Sequence, residues 1–193
     1  MKKKIIIVLF IISIFINTLF IYNAKLTHTK YDFAMKQIDR LFQYNFELSR
    51  KVAITDGIKN IEKKITNLKP NISQLILTDL SCSIYTYSLL HPTANVDLII
   101  AIAFVESSFR KYAKSSADCL GYWQINPKVH NVDLNQIYDG NYNLSWAMNI
   151  YNYNMKLFKG NQTLALNAYN GWASKKNPYA NKVFKYIKKI EKV

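Results

Sequence analysis

The stretch Leu98-Ile99-Ile100-Ala101-Ile102-Ala103-Phe104-Val105 carries no polar side chain, and Asn95-Val96-Asp97 leads into it with a capping residue and an acid for the first turn. A helix apolar nearly all round has no face to give to water, so it must run through a core with other elements around it. The chain can build that shell. It has 193 residues, 50% of them hydrophobic and 14% aromatic, which excludes an intrinsically disordered protein. Its 5 Gly and 4 Pro are too few turn residues for a barrel or sandwich of many short strands. The shell is therefore expected to be helical.

Glu106 stands at the C-terminal end of this run, followed by Ser107-Ser108-Phe109. A carboxylate beside a buried helix needs either an ion-pair partner or a task. Arg110, four residues on, offers the partner. Upstream, a helix is expected from about Ile72 to Leu90, stopped by His91-Pro92. Before it, residues 31–68 carry Ile58, Ile61, Ile65 and Leu68 on one helical face, and Pro70 ends that segment. Such a stripe fits a linker helix packed on its own domain, a stalk, or a weak coiled-coil contact.

The formal net charge is +14. Residues 1–70 hold 13 Lys and Arg against 5 Asp and Glu, and residues 71–193 hold 13 against 7, so the excess has at least two causes. One is the N-terminus, where Lys2, Lys3 and Lys4 precede an uncharged, mostly apolar run of 18 residues from Ile5 to Tyr22. That length approaches the roughly 20 residues that cross a bilayer core as a helix. A secretory signal has a shorter apolar region, about 7–15 residues, and a small-x-small cleavage site. Phe20-Ile21-Tyr22-Asn23-Ala24 offers none, and no cysteine follows closely enough for lipid attachment. The expectation is an uncleaved single-pass anchor over residues 1–25, in the cytoplasmic (inner) membrane, with the N-terminus inside and the rest of the chain exported.

Cys82 and Cys119 are too few for a disulfide scaffold; on an exported chain they could form one bridge or remain two thiols. His28, His91 and His130 lie far apart, and Asp32 or Asp133 beside them gives only two ligands where a metal site needs three or four. They read as surface histidines, and no metal is expected. There is no G-x-S-x-G, P-loop or G-x-G-x-x-G pattern, and no cofactor is expected.

Downstream of Glu106 come Ser115, then Gly121-Tyr122-Trp123-Gln124-Ile125-Asn126-Pro127, then Asn167-Ala168-Tyr169-Asn170-Gly171, then Tyr179 with Val183 after it. From about Val96 to Val183, the order E-S-x-F, S, G-x-x-Q-I-x-P, A-Y-N-G, Y-x-x-x-V resembles the signature of the soluble lytic transglycosylase family, in the lysozyme-like superfamily. Several blocks in order, with their intervals kept, make a specific match.

The resemblance implies a mainly α fold, with a lysozyme-like helical domain over 71–193 preceded by the membrane helix and a helical stalk over 26–70. It implies cleavage of the β-1,4 bond between N-acetylmuramic acid and N-acetylglucosamine in peptidoglycan without water, leaving a 1,6-anhydromuramic end. Glu106 matches the single catalytic acid/base, and one carboxyl can act as acid and then base. Its pKa is expected to be raised by the apolar helix that carries it. Most glycosidases use two carboxylates. Asp118, Asp133 and Asp139 are available, and none matches a second catalytic acid of the family.

By the same carry-over, Ser115 and Gln124 would hydrogen-bond sugar substituents and Tyr169 and Asn170 would line the cleft. Tyr179 would place its hydroxyl near the carboxyl or the substrate's N-acetyl group. Gly121 would let the backbone approach the sugar or adopt a positive φ. Each has a plainer role as a turn, loop-end or core residue. Tyr122-Trp123 stands where the family usually has Leu-Met, which predicts a bulkier cleft floor. Trp123, Trp146 and Trp172 could stack on sugars, with core packing the alternative for Trp146.

The C-terminal stretch sets Lys175, Lys176, Lys182, Lys185, Lys188, Lys189 and Lys192 against Glu191, with Val183, Tyr186, Ile187 and Ile190 at helical spacing. Such a basic amphipathic helix is ordinarily a solvated face, and it can also attract peptidoglycan stem-peptide carboxylates or an anionic membrane surface. The rival functions are a catalytically idle wall-binding module of a secretion or conjugation machine, and a muramidase that uses water. Nucleic-acid binding would need lysines clustered with aromatics, and an exported chain meets little nucleic acid.

Overall fold

The computed structural model describes the backbone of residues 2–174 and 176–192, and their side chains apart from those of residues 2–12, 24, 28, 31, 33 and 34. The helices are α1 (Lys2–Leu68), α2 (Gln74–Leu90), α3 (Val96–Ser107), α4 (Gly140–Leu157), α5 (Gln162–Tyr169) and α6 (Tyr179–Ile190). The chain divides into two units, Met1–Ala53 and Ile54–Val193. In the first, Phe15, Phe20, Leu41 and Phe42 are exposed side chains of α1.

The second unit is built around α3. Asn95 caps it, its side chain accepting from the Leu98 amide at 2.9 Å, and Asp97 in the first turn complements the helix dipole. Leu98 through Ala103 are buried, as a helix apolar on every side requires. Packing closes a ring around the core: α3 lies on α2 and α6, α2 on α4, α4 on α5, and α5 on α6. The last turns of α1 belong to this unit. Ile61, Ile65 and Leu68 are buried in the same core, and Lys64 Nζ reaches Asp97 at 2.7 Å. The stripe read in the sequence thus packs on the domain that follows it.

The membrane-spanning helix is corrected. Among the described residues, no helix is long and apolar enough to cross a membrane. The side chains of Ile5 to Ile12 lie outside the described residues. Within the rest of the run, residues 13–22, the polar side chains Ser13, Asn17 and Thr18 interrupt the apolar pattern. The inner-membrane location and single-pass topology fall with it.

The other elements follow their sequence signals closely. α2 ends before His91, α1 ends at Leu68 ahead of Pro70, and α6 carries Lys182, Lys185, Lys188 and Lys189, with Lys176 before it, Lys192 after it and Lys175 outside the described residues. Cys82 and Cys119 are free.

Candidate active site

α3 stops abruptly at Ser107, one residue past Glu106. Ser108, its C-cap, is left-handed (φ 52°), and so is Phe109 (φ 60°), whose ring is buried against Phe104 at 5.2 Å. Two consecutive left-handed non-glycine residues turn the chain out of the core and leave Glu106 at the core's edge. The Glu106 side chain keeps part of its surface open to a cleft of about 660 Å³, whose walls include Gln124, Trp146, Tyr153, Tyr169 and Asn170.

Arg110 is not its partner: the Arg110 Nε donates to the Ser107 carbonyl at 3.0 Å. Glu106 instead accepts at Oε1 from the Tyr179 hydroxyl at 2.6 Å. Burial pushes the Glu106 pKa up to about 7, against the smaller opposing pull of that hydrogen bond. Among the described residues, it is the one carboxyl in the cleft wall. Asp118 is held down to about 2 by Lys128 and Lys114, at 2.7 and 3.0 Å, Asp139 caps α4, and Asp133 binds the Asn135 amide and the Gln136 side chain.

The tyrosines are fixed from behind. Tyr169, in the last turn of α5, donates from its hydroxyl to the Trp123 carbonyl at 2.7 Å and stacks on Tyr179 with 6.3 Å between ring centroids. Burial and the nearby Glu106 charge keep both hydroxyls protonated, with pKa values well above the ordinary tyrosine range. The start of α6 is tied to α5 by Asn167, which is fully buried. Its Oδ1 accepts from the Ala180 amide at 2.9 Å, and its Nδ2 donates to the Ser174 carbonyl at 2.7 Å. That pairing holds Tyr179 over the carboxyl.

Gln124 enters the cleft from a tight turn. Gly121 has φ +83°, and a Cβ there would lie 2.5 Å from Asn143 Nδ2. Asn143 fills that space, accepting from the Trp123 amide and donating to the Leu120 carbonyl. Gln124 is itself left-handed (φ 53°), and its Nε2 donates to the Ala113 and Gly121 carbonyls at 3.1 and 2.8 Å. Both amide protons are used inside the turn, and Oε1 is the atom left for a ligand.

Of the residues singled out in the sequence, Glu106, Gln124, Tyr169 and Asn170 line the cleft and Tyr179 touches Glu106 from the core side. Ser115 accepts from the Cys119 amide and Gly121 is buried in its turn; neither lines the cleft. Trp123 does not form a stacking face. It is fully buried, with its indole N–H donating to the Ile99 carbonyl, and Tyr122 is equally enclosed, donating to Asp79. Trp172 is 61% exposed, outside the cleft wall.

The α4 wall was largely missed. Trp146, Asn149, Ile150 and Tyr153 line the cleft, and Trp146 lies near His130, whose imidazole burial pushes below its ordinary pKa. Their i, i+3, i+4, i+7 spacing is the available signal, but the same spacing describes a core-facing stripe.

The profile of the transglycosylase SLT domain matches residues 83–191, more than half of the chain. No curated protein and no solved structure matches the chain. The matched segment begins within α2, ends just past α6 and contains every residue of the cleft wall. Within the lysozyme-like superfamily, the chain belongs to the transglycosylase SLT domain family, whose members are lytic transglycosylases acting on peptidoglycan.

Proposed function

We propose that this protein cleaves the β-1,4 bond between N-acetylmuramic acid and N-acetylglucosamine without water, with Glu106 as its one acid/base. The observation that carries this reading is a solitary cleft carboxyl whose burial raises its pKa to about 7, so that near neutrality it is available both protonated and ionised. With Oε1 accepting from Tyr179, Oε2 is the oxygen that holds the acid proton.

In the first step Glu106 gives that proton to the glycosidic oxygen, and the bond from this oxygen to the muramic C1 breaks. In the second, the ionised Glu106 takes the proton of the muramic C6 hydroxyl as O6 bonds to C1. Glu106 ends protonated, and no water is consumed. The Tyr179 hydroxyl steadies the carboxylate between the steps. Gln124 Oε1 and Asn170 supply polar contacts to the sugar, and Tyr169 closes the cleft behind the carboxyl.

Digestion of purified peptidoglycan followed by mass spectrometry tests the reading. Anhydromuramic ends, lighter by one water than hydrolytic ends, are expected from the native protein, and Glu106→Gln is expected to release none. Hydrolytic ends would make the protein a muramidase. Equal release by native and variant protein would make the cleft catalytically idle.

A further inference from the structure

Helix α6 begins at the active site and leaves it carrying a row of positive charge. Tyr179, its first residue, hydrogen-bonds Glu106; Lys182, Lys185, Lys188, Lys189 and Lys192 follow along and just beyond it, and all five are exposed. At 3.6 residues per turn these lysines fall within an arc of about 120°, opposite the buried Tyr179, Ala180, Val183 and Ile190. A groove of about 570 Å³ runs along this face, with Lys185, Lys188, Lys189 and Lys192 in its walls beside half-buried Phe184 and Tyr186.

None of the five lysines forms an ion pair among the described residues, although Lys64, Lys111, Lys114 and Lys128 elsewhere in the same unit all do. Lys188 and Lys189, in the last turn, gain from the helix dipole. Lys182 and Lys185 do not, and the pairs 185/189 and 188/192 set like charges one turn apart, which destabilises a helix standing alone in water. A face assembled against its own repulsion is complementary to a polyanion.

We propose that the lysine face of α6 is a second peptidoglycan contact, one that holds the carboxylates of the stem peptides branching from the glycan strand. The inference rests on the reading of the cleft as a peptidoglycan site and names a part of the substrate that the cleft does not take. By helical rise, the lysines lie between about 5 and 20 Å along the axis from Tyr179. That is within reach of peptides carried by a strand lying in the cleft. An anionic bilayer fits less well. A helix that inserts at a membrane surface needs exposed apolar side chains beside its lysines. α6 exposes no large apolar side chain, because that stripe is already spent on the core.

Binding is measured in the Glu106→Gln protein, so that the outcome does not depend on whether the native protein cleaves. The probes are intact sacculi, sacculi stripped of stem peptides by an amidase, and vesicles of phosphatidylglycerol and phosphatidylcholine. Lys185→Gln, Lys188→Gln, Lys189→Gln and Lys192→Gln are combined in this background, and circular dichroism checks that the helix content is kept. The expected result is retention on intact sacculi weakened roughly tenfold by the four substitutions, weakened similarly by stripping the peptides, and lost near ~1 M salt. Equal retention with and without the lysines, or with and without the stem peptides, overturns the proposal. Stronger binding to the vesicles than to sacculi also overturns it, in favour of a membrane contact.

Discussion

Burial and one hydrogen bond pull the Glu106 carboxyl in opposite directions, and burial wins, leaving it near pH 7. Removing the hydrogen bond should therefore move it higher still. Tyr179→Phe is expected to shift the alkaline limb of the pH–rate profile to higher pH and to lower kcat/KM by about tenfold to hundredfold, since hydrogen bonds to charged groups contribute roughly 1.5–3 kcal/mol. A limb that stays in place would show that this hydroxyl does not tune the acid. The raised pKa also makes a claim on stability. The folded protein holds the Glu106 proton from the ordinary value of 4.5 up to about 7, while the unfolded chain has released it, so stability falls as pH rises through that window. The span corresponds to about 3 kcal/mol. Glu106→Gln removes the titration, and its Tm should exceed that of the native protein at pH 8 and match it near pH 4.

Glu106 stood out in the sequence as a carboxyl at the end of an all-apolar helix, but an ion pair with Arg110 explained it as well until the motif blocks downstream were taken with it. The placements of Trp123 and Trp146 were not legible, and for a common reason. An aromatic residue's type does not say which side of a wall it faces: Trp123 went to the core, with its N–H satisfied by Ile99, and Trp146 went to the cleft.

At the scale of elements, the site depends on two short connections. The turn over residues 120–124 is held by Asn143 filling the space that Gly121 leaves empty. Gly121→Ala would force a side chain into a left-handed residue and against Asn143. It should destabilise the protein by about 2 kcal/mol or more in denaturant unfolding. Loss of binding at the cleft should accompany it, because Gln124 hangs on the same turn. A positive φ was one of the two roles expected of Gly121 from the sequence; the buried asparagine 22 residues later that packs against it was not foreseen. Asn167 is comparable. It stands immediately before the A-Y-N-G block, and it fastens α6 to α5 by a long-range bond that no local pattern announces.

At the scale of the whole molecule, the chain's helical character and the central place of α3 were readable from composition and from one apolar run. The N-terminal run was read as a membrane span, but Ser13, Asn17 and Thr18 break its apolar pattern, and among the described residues no helix is long and apolar enough to cross a membrane. The boundary of the second unit lies at Ile54, ahead of Ile61, Ile65 and Leu68, which join its core. A chain beginning at Ile54 should therefore unfold cooperatively and keep its binding to peptidoglycan. One beginning at Asn71 loses three buried aliphatic side chains, roughly 5 kcal/mol or more and comparable to the stability of a whole domain, and should not fold. Thermal unfolding of the two truncated chains separates these outcomes.

The central claim is that one buried carboxyl, with no second acid and no water, breaks the glycosidic bond. Mass spectrometry of the muropeptides released from purified peptidoglycan tests it most directly. The account predicts 1,6-anhydromuramic ends from the native protein and none from Glu106→Gln. Hydrated reducing ends, or the same products from both proteins, would contradict it.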